Sequence, residues 1–143
     1  RGSIEIVNPD PTADPKIEPN YLADELDQKT MVEGIKILRQ IYKQPKFRDL
    51  WDAEIIPGAQ VKTDAEIIDA IRKGGGTVYH PVGTCKMGID AAAVVGPDLL
   101  VHGVAGLRVV DASIMPLITS ANTNAPTLMI AEKAAEMILA SGN

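Results

Sequence analysis

Two stretches of the 143-residue chain hold the side chains whose types and spacing could do chemistry. The first is Tyr79-His80-Pro81-Val82-Gly83-Thr84-Cys85-Lys86-Met87-Gly88. Proline at position 81 disfavours helix at the residue before it, so the His80 imidazole is expected on extended chain. Gly83 and Gly88 permit tight turns or the close approach of another molecule. A histidine presented on such a loop suits general acid–base work, because imidazole changes protonation near neutral pH. The plainer reading is an imidazole satisfied by a backbone carbonyl, and on spacing alone that reading stands ahead. The second stretch is Val110-Asp111-Ala112-Ser113, followed by Ser120-Ala121-Asn122-Thr123-Asn124-Ala125-Pro126-Thr127. Asp111 ends an expected strand, where a carboxylate can accept hydrogen bonds from a ligand or cap the next turn. The asparagine-rich run opens an expected helix, whose free N–H groups and positive dipole end favour partial negative charge. Asn122 or Asn124 could also be an ordinary N-cap. Capping consumes one of them, and the cluster offers more polar groups than that.

Other chemistries fit less well. His80, Cys85 and His102 do not have the spacing of zinc ligands, so no metal site is expected. Cys85 has no local base and reads as a small packed residue, and His102 reads as structural. A single cysteine excludes an internal disulfide and leaves the compartment undecided, with cytoplasm the expected one and membrane association open. Gly74-Gly75-Gly76 is not followed by the Lys-Ser/Thr of a phosphate loop and is expected to be a flexible helix exit. The net charge of −5 counts against nucleic acid as a partner, and 1 Trp, 3 Tyr and 1 Phe cannot build a base-stacking platform. The longest apolar run is too short for a transmembrane span.

The elements that must position these residues read as a mixture of helix and short strand. Residues 2–7 alternate as a strand, and a segment with Pro9, Pro11, Pro15 and Pro19 follows as an extended surface connection over residues 8–20. Met31, Ile35, Leu38 and Tyr42 recur at helical spacing over residues 24–42, and Pro45 closes that helix. Residues 46–51 are expected to form a further short helix. Thr63-Asp64-Ala65-Glu66 is a capping box, with Ile67, Ile68 and Ile71 as the apolar face of the helix behind it. Residues 99–101 and 107–110 are expected strands around a glycine turn. A last helix over residues 126–139, with Pro126 at its first position, is apolar on two sides and so expected to be buried. The charge is uneven: residues 1–79 hold 25 of the Asp, Glu, Lys and Arg residues and residues 80–143 only 8. The second half should therefore pack against further polypeptide or a large cofactor, the plainer alternative being a chain whose core is concentrated late.

Taken together, the two stretches resemble the C-terminal region of the glucose–methanol–choline (GMC) family of flavin oxidoreductases, in wording closest to the choline dehydrogenase-like branch. The resemblance covers residues 79–88 and 107–138, and the opening strand with its proline-rich follower also looks like the start of that region. It implies an α+β fragment of a two-domain FAD enzyme. Residues 1–76 would belong to a substrate-binding domain built on an antiparallel sheet, and residues 77–143 would complete the FAD domain and active site. The family's Gly-x-Gly-x-x-Gly fingerprint is absent here. Together with an opening Arg1-Gly2-Ser3 that looks like a cut inside a longer protein, this makes the chain the expected C-terminal part of a larger enzyme. Alone it should neither hold FAD tightly nor turn over. The expected partners are the missing N-terminal FAD-binding portion and a small-molecule alcohol.

By the same resemblance, His80 corresponds to the histidine that takes the hydroxyl proton while hydride passes from the alcohol carbon to flavin N5. Asn122 corresponds to the second active-site position, hydrogen-bonding the substrate oxygen. Tyr79, Asp111, Ala112, Thr123 and Asn124 match positions near the flavin, with the start of the last helix facing its pyrimidine edge. With asparagine at 122, one ionisable group remains in the pair, which implies a single rise of activity with pH. Two alternatives are a lyase of the same family, cleaving a cyanohydrin, and a stand-alone binding module without catalysis.

Overall fold

A computed structural model describes residues 1–142 of the chain. The chain divides between Gly76 and Thr77 into two units, each with its own apolar cluster.

In the first unit, strand β1 (Ser3–Glu5) pairs antiparallel with strand β2 (Lys16–Glu18). The register sets Ile4 opposite Ile17 and Glu5 opposite Lys16, whose ammonium is bridged to Glu18 on its own strand at 3.1 Å. The segment expected to be only an extended connection thus contains a strand. Proline cannot donate to a ladder, and the three residues that pair lie between Pro15 and Pro19, clear of both.

Helix α1 (Glu25–Tyr42) starts at Asp24, whose carboxylate accepts the Leu26 N–H at 2.8 Å. Its buried residue is Val32, with Ile35 beside it, whereas Met31 and Leu38 of the expected stripe are about half exposed. The phase is set by helix α2 (Asp64–Gly74), whose Ile67 and Ile68 meet Val32. The capping box of α2 is complete. Thr63 Oγ1 accepts the Glu66 N–H at 3.2 Å, and Glu66 Oε2 accepts the N–H groups of Thr63 at 2.8 Å and Lys62 at 2.9 Å. Those backbone donors hold the Glu66 carboxyl below the usual carboxylate range. Gly75 ends α2 by donating to the Ile71 carbonyl at 2.7 Å, and a Cβ there would come within 2.6 Å of that oxygen.

Beyond α1 a single 3-10 turn (Pro45–Phe47) replaces the expected helix over 46–51. Here aromatic packing competes with helix continuation: the Tyr42 ring stacks on Trp51 at 6.0 Å and meets Phe47 edge-on at 5.4 Å. Arg39 grips Glu54 with two hydrogen bonds, Nη2 to Oε1 at 2.7 Å and Nε to Oε2 at 2.9 Å. The guanidinium holds the Glu54 carboxyl below its ordinary value.

The second unit packs around Val95, Leu99, Ile114, Met115, Ile130 and Ala134. Residues 99–101 and 107–110 do pair antiparallel, through Val101 N–H to Leu107 at 2.9 Å and Val109 N–H to Leu99 at 3.1 Å, but only around the single bridge Leu100↔Arg108. The left-handed backbone of Leu99, φ 65°, stops a strand from extending through it. Helix α3 (Asn124–Ala140) starts two residues before the expected position, so Pro126 is its third residue. Only one of its apolar faces, that of Ile130 and Ala134, is buried; Leu128, Met129 and Leu139 are exposed.

Candidate active site

The first motif is built against the second by backbone hydrogen bonds. Cys85 N–H donates to the Ser113 carbonyl at 3.0 Å, and Met87 N–H to the Ile114 carbonyl at 2.8 Å. The acceptors sit in a 3-10 turn (Ala112–Ile114) that Asp111 caps, its carboxylate accepting the N–H of Ser113 at 2.8 Å. Of the two roles open to Asp111, the cap is therefore the one its side chain fills. Ile114 and Met115 then pack with Ile130 and Ala134, which fixes the turn to α3. Gly83 lies where this loop passes the turn, at φ 87°, and a Cβ there would be 3.3 Å from the Met115 carbonyl oxygen.

His80 emerges from this framework on non-helical chain, between Pro81 and a Tyr79 held in the left-handed region at φ 61°. Such a conformation is strained for a bulky residue. Tyr79 N–H is held by Thr77 Oγ1 at 3.0 Å, while its ring is exposed. The His80 ring is half-buried, and its Nδ1 lies 3.1 Å from the Thr123 hydroxyl. Among the described residues no backbone carbonyl satisfies the imidazole, contrary to the plainer expectation. Among the described residues Nε2 has no hydrogen-bond partner. His102 does follow the structural expectation: its Nε2 is 3.2 Å from the Gly88 carbonyl. Cys85 is a half-buried free thiol, and Lys86 is engaged with Asp90 at 3.0 Å.

Thr123 is the N-cap residue of α3, but it has helical backbone angles and its side chain caps nothing. Neither Asn122 nor Asn124 takes the cap, so the reading of that cluster as ordinary capping is not what the chain does. Both asparagines are exposed. The first amides of α3, those of Asn124 and Ala125, therefore have no side-chain acceptor, and Pro126 brings none to satisfy. The structure thus brings His80, the Asp111–Ala112 turn and the start of α3 into one unit, with Asn122 in the residue before Thr123. The sequence places Thr123 in the site without revealing its contact with His80, which spans 43 positions. The available signal is Pro126, which removes the amide that a capping hydroxyl would normally accept. Among the described residues no group of three or more His, Cys, Asp or Glu could hold a metal, and no helix is long and apolar enough to cross a membrane.

An imidazole with one nitrogen unpartnered among the described residues, beside an open helix start, has the parts that proton transfer next to a developing negative charge would need. Comparison with known proteins defines its class. The family model described as GMC oxidoreductase matches residues 1–131, and the chain belongs to that family. It is 53% identical to an alcohol dehydrogenase [acceptor] of Pseudomonas putida, across 97% of this chain and 25% of that protein. It is 47% identical to an oxygen-dependent choline dehydrogenase of Paraburkholderia xenovorans, across 96% of this chain and 25% of that one. Among solved structures it superposes on pyridoxine 4-oxidase from Mesorbium loti with a TM-score of 0.86 and 35% identity, covering 94% of this chain and 26% of the other. An FAD-dependent oxidoreductase from Chaetomium thermophilum gives a TM-score of 0.91 at 30% identity, covering 99% and 25%. The chain thus spans about a quarter of the length of the relatives it matches.

Proposed function

We propose that the chain is the C-terminal part of an FAD-dependent dehydrogenase or oxidase that acts on the CH–OH group of a small alcohol, with His80 as the base. Residues 1–76 would form part of the substrate-binding domain and residues 77–143 part of the FAD domain. The observation that carries the reading is the His80 ring, anchored through Nδ1 at Thr123, with no partner for Nε2 among the described residues.

The residues present fit the flavin end of FAD. The uncapped amides of Asn124 and Ala125 can donate to a ring carbonyl, and the exposed Tyr79, Asp111, Asn122 and Asn124 provide further polar groups around that helix start. They do not fit the pyrophosphate, for which the chain has no glycine-rich fingerprint. When bound, FAD supplies the acceptor for the hydride leaving the alcohol carbon. The work left to this chain is proton transfer and orientation. His80 Nε2 takes the hydroxyl proton, the Asn122 carboxamide donates to the same oxygen as negative charge develops on it, and the α3 dipole favours that charge. Without the rest of the enzyme the chain has no grip on the dinucleotide and is inactive.

The test is rapid mixing of the full-length enzyme with alcohol. His80→Ala should slow flavin reduction by about 10²–10⁴-fold, the usual contribution of a positioned base, with FAD content near normal. Reduction at an unchanged rate refutes the role. Bleaching of the flavin by an alcohol also separates this reading from a lyase, which leaves its cofactor oxidised.

A further inference from the structure

Among the described residues, Thr123 is the polar side chain that is buried, at 7% exposure. A buried hydroxyl needs a partner, and at a helix start the usual partners are the amides of the second and third helical residues. Two features turn Thr123 away from them. Its backbone is helical, φ −79° and ψ −6°, rather than the extended form from which an N-cap side chain reaches over the first turn. The third helical residue is Pro126, which has no N–H to offer. The hydroxyl goes instead to His80 Nδ1 at 3.1 Å.

We infer that Thr123 is a positioning residue for His80: its Oγ1 accepts the Nδ1–H and thereby keeps the proton off Nε2. The inference rests on the reading of His80 as the base. A neutral imidazole carries one proton, and it can accept another at Nε2 only if the first sits on Nδ1. A hydroxyl oxygen accepting at Nδ1 holds that tautomer and the ring plane at once. The same bond survives when Nε2 is protonated, because both ring nitrogens then donate. A hydroxyl does this without placing a second buried charge beside the ring, as a carboxylate would. The acceptor is itself held in place: the Thr123 carbonyl accepts the N–H of Thr127 at 3.0 Å and its hydroxyl at 2.7 Å, which ties the residue into the first turn of α3.

The test uses the full-length FAD-loaded enzyme and the variants Thr123→Val, Thr123→Ser and His80→Ala. Valine keeps the shape of threonine and removes the oxygen; serine restores the oxygen. Thr123→Val should slow flavin reduction at saturating alcohol by about tenfold or more, short of the loss in His80→Ala, while the apparent affinity for alcohol stays within about threefold. Thr123→Ser should return to within about threefold of the unmodified rate. Crystal structures supply the second readout. The unmodified holoenzyme should keep Oγ1 on Nδ1, and the His80 ring should turn in the valine variant. Should that variant not fold, the unmodified crystal structure and the serine rate decide.

A valine variant that reduces flavin at the unmodified rate overturns the inference. So does equal loss in the valine and serine variants, or an Oγ1 found on an α3 amide in the holoenzyme. A slow His80→Ala beside a normal Thr123→Val removes only the role of Thr123. An unchanged His80→Ala removes the reading of the base, and this inference with it.

Discussion

An imidazole can accept a proton from an alcohol only if the oxygen left behind is also stabilised, and in the function proposed above Asn122, the residue before Thr123, is the group assigned to that. A carboxamide gives a neutral N–H donor, so it adds no further ionisable group to the site. Asn122→Ala should lower the rate of flavin reduction in the full-length enzyme by about 10²-fold, the usual loss of one donor to a developing oxyanion. Stopped-flow absorbance would show it, with affinity for a substrate analogue lacking the hydroxyl left unchanged. At this scale the sequence is informative about residue types, since His80 before a proline on a glycine-bearing loop, and more polar groups before the last helix than one cap consumes, single out the two stretches. It puts Thr123 near the flavin by resemblance alone and does not reveal its bond to His80. A hydrogen bond over 43 positions depends on how the chain returns on itself, which no local pattern records.

Elements whose determinants lie within one turn were legible, and those set by partners were not. Thr63 and Glu66 satisfy each other's backbone, so α2 starts where its sequence says. Thr63→Ala should cost about 1 kcal/mol and let the first amides of α2 exchange about fivefold faster, as hydrogen exchange of the full-length protein would report. Strand β2, by contrast, exists through its pairing with β1, the phase of α1 follows from the α2 face it meets, and Leu99 breaks its strand through a backbone angle its side chain does not advertise.

The Arg39–Glu54 pair belongs to the same scale, joining α1 to the segment after the aromatic turn. Because the folded protein lowers the Glu54 carboxyl, the pair stabilises fully above the ordinary glutamate value and loses that contribution as pH falls through the folded one. Glu54→Gln should therefore lower the melting temperature at pH ~7, and the gap to the unmodified protein should narrow toward pH ~4.

At the scale of the molecule, both halves leave apolar side chains exposed, the charge-rich first half included, where Ile6, Leu50, Ile55 and Ile56 are 81–89% exposed, so the charge count does not by itself mark which part needs a partner. The half with 8 charged residues leaves Leu117, Leu128, Met129 and Leu139 exposed, at 60–81% for these four, more apolar surface than α3 can cover from within the chain. The GMC relatives are about four times as long, which gives that surface a natural counterpart in the rest of such an enzyme. The purified chain mixed with FAD should retain no flavin after gel filtration, because its sequence lacks the glycine-rich fingerprint that holds a pyrophosphate. Retained yellow protein would contradict the division of labour proposed between this part and the remainder. The α+β class and the family were both legible from the sequence, because the two motifs are long and ordered. The apolar clusters were legible in part: the Ile67, Ile68 and Ile71 face was, while Val32 and the pairing of Ile114 with Ile130 depend on which faces meet.

Pro126 gives this arrangement an unexpected vulnerability. Pro126→Ala would count as a benign or even strengthening change by helix propensity. It would also return an amide to the first turn of α3. Once that amide donates to the Thr123 oxygen, the hydroxyl hydrogen is free to swing to the imidazole and drive the ring into its other tautomer. A more stable helix would then carry a slower enzyme, and engineering for thermal robustness at this position would select against turnover.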